Sequence, residues 1–408
     1  MGEAYREMMH PNVRKLILIR GLRSIGQGAM VVDLTLYLKD LHWSGAAIGG
    51  VTSGAGLVGA FLILIVGIVS DRVGRKPFLL IYEGLTMACS LAASISTAAL
   101  LLILAIVVAG FGRGQSGGAG PFSPAEQALL ARFVKRKHRG RIFSLNNAVG
   151  FVGMAIGAVI GGIPSLMKHT SAIAAYRPVF LLVAFLSLVC VSIILKIEES
   201  TTKDVEPKVT MVDEKNIRQK ENRSMTLLAL VNVLNGLAVG LTGPMMAYWF
   251  SIRYGASTSA IGITMAVSFL LTGVFSMLSG RLADRVGIVK SVTWMRVVGS
   301  IFMLALPFMP NFMFASLLFV LRSAVNRGTQ GNRTALSASL TRDKRRGLAT
   351  SINALSMRLP SSIGPTISGY LFDANMLSLP LYLTAVLQLA NAGIYQWVFG
   401  RYDRERSV

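Results

Sequence analysis

The feature that most constrains this chain is a succession of apolar stretches, each about the length that crosses a lipid bilayer. A spanning helix needs roughly 20 mostly apolar residues. Twelve candidates stand at about 15–38, 46–69, 77–97, 99–130, 143–166, 177–196, 225–250, 258–280, 291–309, 312–340, 348–372 and 378–399. Runs such as Leu100–Ala109 are apolar without the period-two alternation of a membrane-spanning strand, so each stretch is expected to be α-helical. The first stretch contains Arg20 and Arg23 and lacks the clean apolar region and small-residue cleavage site of a signal peptide. It reads as a retained helix, and the expected fold is an all-α polytopic membrane protein.

Composition excludes the other classes. Hydrophobic residues make up 53% of the chain and charged residues 15%, against roughly 25% charged in a soluble domain. Polar residues are too few for a collagen-like, coiled-coil or disordered chain. Cys89 and Cys190 sit inside apolar stretches, where a buried structural role is expected rather than a disulfide framework.

Lys and Arg number 41 against 19 Asp and Glu, a net charge of +22. The position of these cations gives an orientation. With the N-terminus inside, the inner segments hold 29 of them and the outer loops only Lys39, Lys168, Arg177 and Arg253. Both termini are therefore expected to be cytoplasmic, and the basic excess needs no nucleic acid to explain it. The one long polar stretch, Lys196–Ser224, holds seven acidic residues and reads as an inside linker. It divides the chain into an N-terminal bundle (1–196), a linker (197–224) and a C-terminal bundle (225–408).

The halves repeat each other. Gly67-Ile-Val-Ser-Asp71-Arg72-Val-Gly74-Arg75-Lys76 follows span 2, and Gly280-Arg-Leu-Ala-Asp284-Arg285-Val-Gly287 follows span 8, at an offset of 213. Arg139-Gly140…Ser144-Leu-Asn146 precedes span 5, and Arg346-Gly347…Ser351-Ile-Asn353 precedes span 11, at an offset of 207. Gly157 and Gly162 match Gly364 and Gly369 at that second offset. Repeated halves with a site between them at mid-bilayer are the mark of secondary transporters. Gly153, Gly157 and Gly161 form a small-residue ridge on span 5, as Gly364 and Ser368 do on span 11, and such ridges let helices approach closely in lipid.

These residues carry a family resemblance over the whole chain. The loop Gly67–Lys76 resembles motif A of the major facilitator superfamily, and the loop after span 8 resembles its weaker second copy. Arg113-Gly-Gln115-Ser-Gly117-Gly-Ala-Gly in span 4 is similar to motif B. The efflux branch usually carries G-x-x-x-G-P-x-x-G-G in span 5; here the proline position is Ala158, and a Gly-Pro pair stands instead at Gly364-Pro365. The resemblance implies two pseudo-symmetric six-helix bundles that rock about a central site lined by spans 1, 4, 7 and 10. It also implies a latch in the outward-open state, built from Gly67, Asp71, Arg72, Gly74 and Arg75 and from Gly280, Asp284, Arg285 and Gly287. Asp71 would then face the start of span 11, and Arg75 would pair with Glu126.

Charges inside the spans point to the site. Eight are basic (Arg20, Arg23, Arg113, Arg296, Arg322, Arg327, Arg333 and Arg358) and three acidic (Asp33, Glu83 and Glu126). A charge at the bilayer centre costs about 2.5–3.5 kcal/mol or more unless paired or hydrated, so this surplus calls for a wet cavity or an anionic substrate. At 100° per residue, Arg20, Arg23 and Gln27 share a face of span 1, Asn232 and Asn235 a face of span 7, and Arg322, Asn326, Thr329 and Arg333 a face of span 10. Together with Arg113 they are the expected cavity residues. Arg296, near an inner helix end, is expected to snorkel, and Glu83 reads as a loop neighbour. Proton coupling requires a carboxylate whose protonation changes as access alternates; Asp33 in span 1 is the candidate.

There is no Walker P-loop, no nucleophile elbow and no paired catalytic acids, and the four histidines have no ligand spacing. No enzyme activity, cofactor or metal is expected. The expected function is secondary transport across the cytoplasmic membrane of a small organic solute, more anionic than cationic, coupled to protons, with a monomer sufficient. The rival readings are a multidrug:proton antiporter for lipophilic substrates and a non-transporting receptor on the same fold.

Overall fold

The computed structural model describes residues 10–112, 120, 123–135, 138–167, 171, 173–198, 214–339 and 346–405. Among the described residues it is helical without strands, and the helices follow the twelve stretches in order. Among the described residues seven helices are long and apolar enough to cross a membrane, corresponding to spans 2, 3, 5, 6, 7, 8 and 9. Spans 1 and 12 are long helices diluted by polar residues (Pro11–Asp40 and Leu379–Glu405), whereas spans 4, 10 and 11 are divided.

The duplication is visible in the way helices start and stop. Span 2 (Gly45–Val73) and span 8 (Thr258–Val286) are each 29 residues long. Each begins at a serine whose hydroxyl accepts from the backbone N–H three residues on, Ser44 from Ala47 and Ser257 from Ala260, both at 3.2 Å. Each ends on a glycine in the positive-φ region, Gly74 at 101° and Gly287 at 97°, a conformation that side chains resist. The turn glycine of the repeated loop is thus fixed by backbone geometry.

Several expected spans are interrupted. Span 4 was read as one stretch over 99–130, but its first helix runs Ala99–Ala109 and ends where Gly110 turns left-handed at φ 69°; a second helix is described over Ser123–Arg132. Span 7 begins earlier than expected, at Glu214, so the end of the linker continues into the span. It breaks at Gly243-Pro244 and resumes as Met246–Tyr254, because proline removes a helical donor. Span 10 divides at Thr329 into Phe312–Gly328 and Gln330–Ser339, and span 11 into Arg346–Ser361 and Gly364–Asp373.

The glycine ridges seat one span on another. A Cβ on Gly153 would lie 2.6 Å from the Gly21 carbonyl, one on Gly157 2.9 Å from the Ala29 nitrogen, and one on Gly161 3.0 Å from the Ala29 carbonyl, all on span 1. The matched Gly364 presses in the same way on the backbone of span 7 at Gly240 and Leu241. Across the halves, Gly162 meets Ser259 at the start of span 8, and Gly369 meets Gly45 at the start of span 2.

The core shows how the halves are disposed. Call the end holding residues 41–44, 161–167, 173–176, 243–257, 306–311 and 374–378 the distal end, and the opposite one the linker end. At the distal end one apolar cluster joins both halves, from Met30, Leu34 and Ile48 to Met245, Phe269 and Phe372. Toward the linker end there are two separate clusters. One is confined to spans 1–6, around Leu16, Leu79 and Ile194; the other to spans 7–12, around Val231, Val292 and Tyr395. Hydrogen bonds also join the halves distally: Lys39 Nζ to Ser251 Oγ (2.7 Å), Gly45 N to Asp373 Oδ1 (2.7 Å) and Ser165 N to Thr258 Oγ1 (3.0 Å). The halves are welded at the distal end and part toward the linker end.

Candidate functional site

In the N-terminal half four intramembrane charges, Arg20, Arg23, Glu83 and Glu126, are gathered into one group. Arg23 of span 1 donates through Nε to Glu83 Oε1 of span 3 at 2.5 Å and through Nη1 to Glu126 of span 4. Its guanidinium lies 5.3 Å over the ring of Tyr82. Asn146 of span 5 donates to the other oxygen of Glu126 at 3.4 Å. Arg20 is buried one turn away, its guanidinium 2.7 Å from where a Cβ on Gly150 would stand and within electrostatic reach of Glu126. Two arginines and two glutamates therefore form a near-neutral group that ties spans 1, 3, 4 and 5. Gln27, on the same face of span 1, lines with Arg23 and Tyr82 a cavity of about 30 Å³, room for a water or two.

This arrangement corrects one reading. Glu83 is 1% exposed and is Arg23's partner, not a loop neighbour. Arg75 Nη1 donates to the Ala128 carbonyl at 2.8 Å, on the same short helix as Glu126; the pairing with Glu126 that the resemblance implies belongs to the state in which the linker end is closed.

The C-terminal half is different in kind. The apolar stretches of spans 7–12 contain no Asp or Glu, the acidic residues Asp284, Asp373 and Asp403 standing at helix ends, yet they carry Arg296, Arg322, Arg327, Arg333 and Arg358. Neutral groups receive them in part. Arg296 is 2% exposed rather than snorkelling, because Asn391 of span 12 accepts from its Nη1 and Tyr395 lies 5.8 Å beneath it. Arg327 lies 5.8 Å over the Phe269 ring, and Arg333 approaches the Met357 sulfur at 3.9 Å. Arg322 is 6% exposed. The Nε atoms of Arg296, Arg322 and Arg333 and Nη1 of Arg327 are buried with no hydrogen-bond partner among the described residues. Arg358 of span 11 is within electrostatic reach of Tyr82 across the cleft.

Amides knit this half together. Asn232 donates to Asn353 Oδ1 at 2.7 Å and Ser356 Oγ at 3.2 Å, Asn235 to the Met357 sulfur at 3.8 Å, and Asn326 to Gln388 Oε1 at 3.0 Å. These three expected cavity residues hold spans 7, 10, 11 and 12 together. Sequence reading missed Gln388 and Asn391. The signal was present as a polar stripe on span 12, Thr384, Gln388, Asn391 and Tyr395, at helical spacing.

Asp33 stands apart from both groups. It is fully buried, and neither carboxyl oxygen has a hydrogen-bond partner among the described residues. One turn on, the Tyr37 ring meets that of Tyr176 at 5.3 Å, and Tyr176 donates to Asp40 at 2.8 Å. Asp40 and Tyr176 line a distal cavity of about 310 Å³.

Arg113 and the side chains of Gly67, Asp71 and Arg72 lie outside the described residues. In the second loop Asp284 and Arg285 are exposed, and a Cβ on Gly280 would meet nothing within 4 Å. Gly287 is instead covered by Asp403, which accepts from the Val289 and Lys290 backbone N–H groups at 3.1 and 2.9 Å.

Comparison with known proteins agrees with this architecture. The quinolone resistance protein NorA of Staphylococcus aureus is 22% identical, over 91% of this chain and 92% of its own. A bacterial homologue of the human lysosomal transporter Spinster, solved inward-facing and unoccupied, superposes with a TM-score of 0.76 at 15% identity, covering 96% of this chain and 97% of that one. A D-xylose–proton symporter superposes at 0.74 with 14% identity, covering 94% and 96%. The family model described as Major Facilitator Superfamily matches residues 16–224 and 228–408, and the chain belongs to that family of membrane transporters.

Proposed function

We propose that the protein moves a small organic anion across the cytoplasmic membrane by alternating access, coupled to protons. The observation that supports this most directly is the contrast between the halves. Arg20 and Arg23 lie against carboxylates in the N-terminal half, whereas Arg296, Arg322, Arg327, Arg333 and Arg358 pair with none among the described residues. Each costs about 2.5–3.5 kcal/mol in hydrocarbon, and a bound anion supplies the missing countercharge. Arg322 and Arg333 would contact the substrate, with Asn232, Asn235 and Asn326 shaping the wall. Asp33 would take up and release the proton. With the basic linker end cytoplasmic, both termini lie inside, the bundles are residues 1–196 and 225–408, and the present conformation is inward-open. Ligand and proton drive transport by binding the two states unequally.

A second reading follows from the multidrug relatives, which include a quinolone resistance protein: export of lipophilic compounds against protons. Thermal unfolding of the purified protein, with organic anions in one arm and lipophilic cations in the other, separates the two. A ligand at 100 times its Kd adds about 2.7 kcal/mol. Stabilisation by anions that Arg322→Gln abolishes supports the first reading. Stabilisation by lipophilic cations alone overturns it in favour of the second.

A further inference from the structure

We propose that Asp373 is the distal counterpart of the motif A aspartate: a carboxylate that locks the halves at the distal end by capping the N-terminus of span 2. The inference rests on the alternating-access reading but not on any substrate. Asp373 is the last residue of span 11. Its Oδ1 accepts from Gly45 N at 2.7 Å and its Oδ2 from Ala46 N at 2.8 Å. Those are the first two residues of span 2, in the opposite half. A carboxylate there meets orphan N–H groups and the positive end of the helix dipole. The contact is close because Gly45 and Gly369 bring the helices together. A Cβ on Gly45 would stand 2.7 Å from both the Gly369 carbonyl and Asp373 Oδ1.

Spans 2 and 11 then bear reciprocal devices. The resemblance puts Asp71, at the C-terminal end of span 2, against the start of span 11 when the linker end is closed. The structure puts Asp373, at the C-terminal end of span 11, against the start of span 2 with the distal end closed. One helix pair carries a carboxylate for each end, and only one can be engaged at a time. Duplication did not impose the distal member. The residue matching Asp373 at offset 207 is Leu166. At the equivalent span 5–span 8 contact the cap is neutral: Ser165 Oγ accepts from Ser259 N at 3.2 Å. Asp373 is a charged addition at one of two related joints.

The test uses the full-length protein with Cys89 and Cys190 replaced by serine and spin labels on cysteines at Ala47 and Met376. Both positions are exposed at the distal end, one in each half. Pulsed dipolar spectroscopy reads the ratio of distally open to distally closed molecules. Asp373→Asn is expected to raise that ratio about fivefold, and Asp373→Glu to raise it less. Asp403→Asn is the control, since Asp403 caps span 9 in the same way but within one half. It is expected to lower the melting temperature and leave the ratio unchanged. An unchanged ratio in Asp373→Asn, or an equal rise in Asp403→Asn, overturns the proposal. Loss of anion binding with the ratio still responding would remove the substrate reading and leave the lock standing.

Discussion

Arg23 and Glu83 lie sixty residues apart in sequence and 2.5 Å apart in the folded protein, both buried inside the N-terminal half. Glu126 takes the other side of the same guanidinium. Removing the arginine leaves two buried carboxylates facing each other, whereas removing one glutamate leaves the second pair intact. Arg23→Gln is therefore expected to destabilise the protein by about 3–5 kcal/mol, and Glu83→Gln by about 1.5–3 kcal/mol. Unfolding in detergent with denaturant checks the order. Equal losses would show that the three groups do not act as a triad.

Arg322 is buried with its Nε unpartnered, so its removal relieves a desolvated charge in the empty protein. Arg322→Gln is expected to leave the melting temperature unchanged or raise it, while weakening anion binding tenfold or more. That gain in stability with loss of binding separates a ligand site from a structural ion pair. Calorimetric titration with the stabilising anion, beside thermal unfolding without it, reads both quantities.

Among the described residues Asp33 has no cation within hydrogen-bonding reach, and an unpaired buried carboxylate is costly when ionised. Asp33→Asn is expected to abolish uphill transport driven by a pH gradient and to leave downhill exchange within about threefold. Uptake by proteoliposomes with and without an imposed gradient measures this. Wild-type transport should depend on pH and the variant should not, because the asparagine carries no titratable proton.

Glycine substitutions should divide by what a Cβ would meet. Gly157→Ala drives a methyl into the backbone of span 1 and Gly364→Ala into that of span 7. Each is expected to cost about 1–3 kcal/mol. Gly84 and Gly273, whose Cβ would meet nothing within 4 Å, are expected to tolerate alanine and to gain about 0.5–1 kcal/mol from the stiffer unfolded chain. Melting temperatures of the four variants provide the check.

Much of the fold was legible because lipid leaves few alternatives: apolar length gives the spans, and the echoes of Gly67–Gly74 in Gly280–Gly287 and of Arg139–Asn146 in Arg346–Asn353 give the two halves. The breaks were less legible. Gly110 and Gly243 look like any small residue in a membrane helix until their φ angles or the following proline are considered. Partners were the least legible. Arg23 and Glu83 are joined by a crossing of spans 1 and 3 that periodicity within one helix does not encode. Arg296 was misplaced because depth was judged along one span, while Asn391 and Tyr395, which receive it, belong to another. The polar face of span 10 was read from spacing alone, although the turn at Thr329 places Arg322 and Asn326 on one helix and Arg333 on the next.

The shared distal core has a thermal consequence. Leu34, Ile48, Met245 and Phe372 belong to one cluster that must be cleaved when the distal end opens to water. Wetting apolar surface raises the heat capacity. The balance between the two open states therefore follows a curved, not a linear, van't Hoff plot. Apolar burial weakens on cooling, so the distal mouth opens more readily in the cold, and the carrier's resting orientation becomes a function of the temperature at which it is observed.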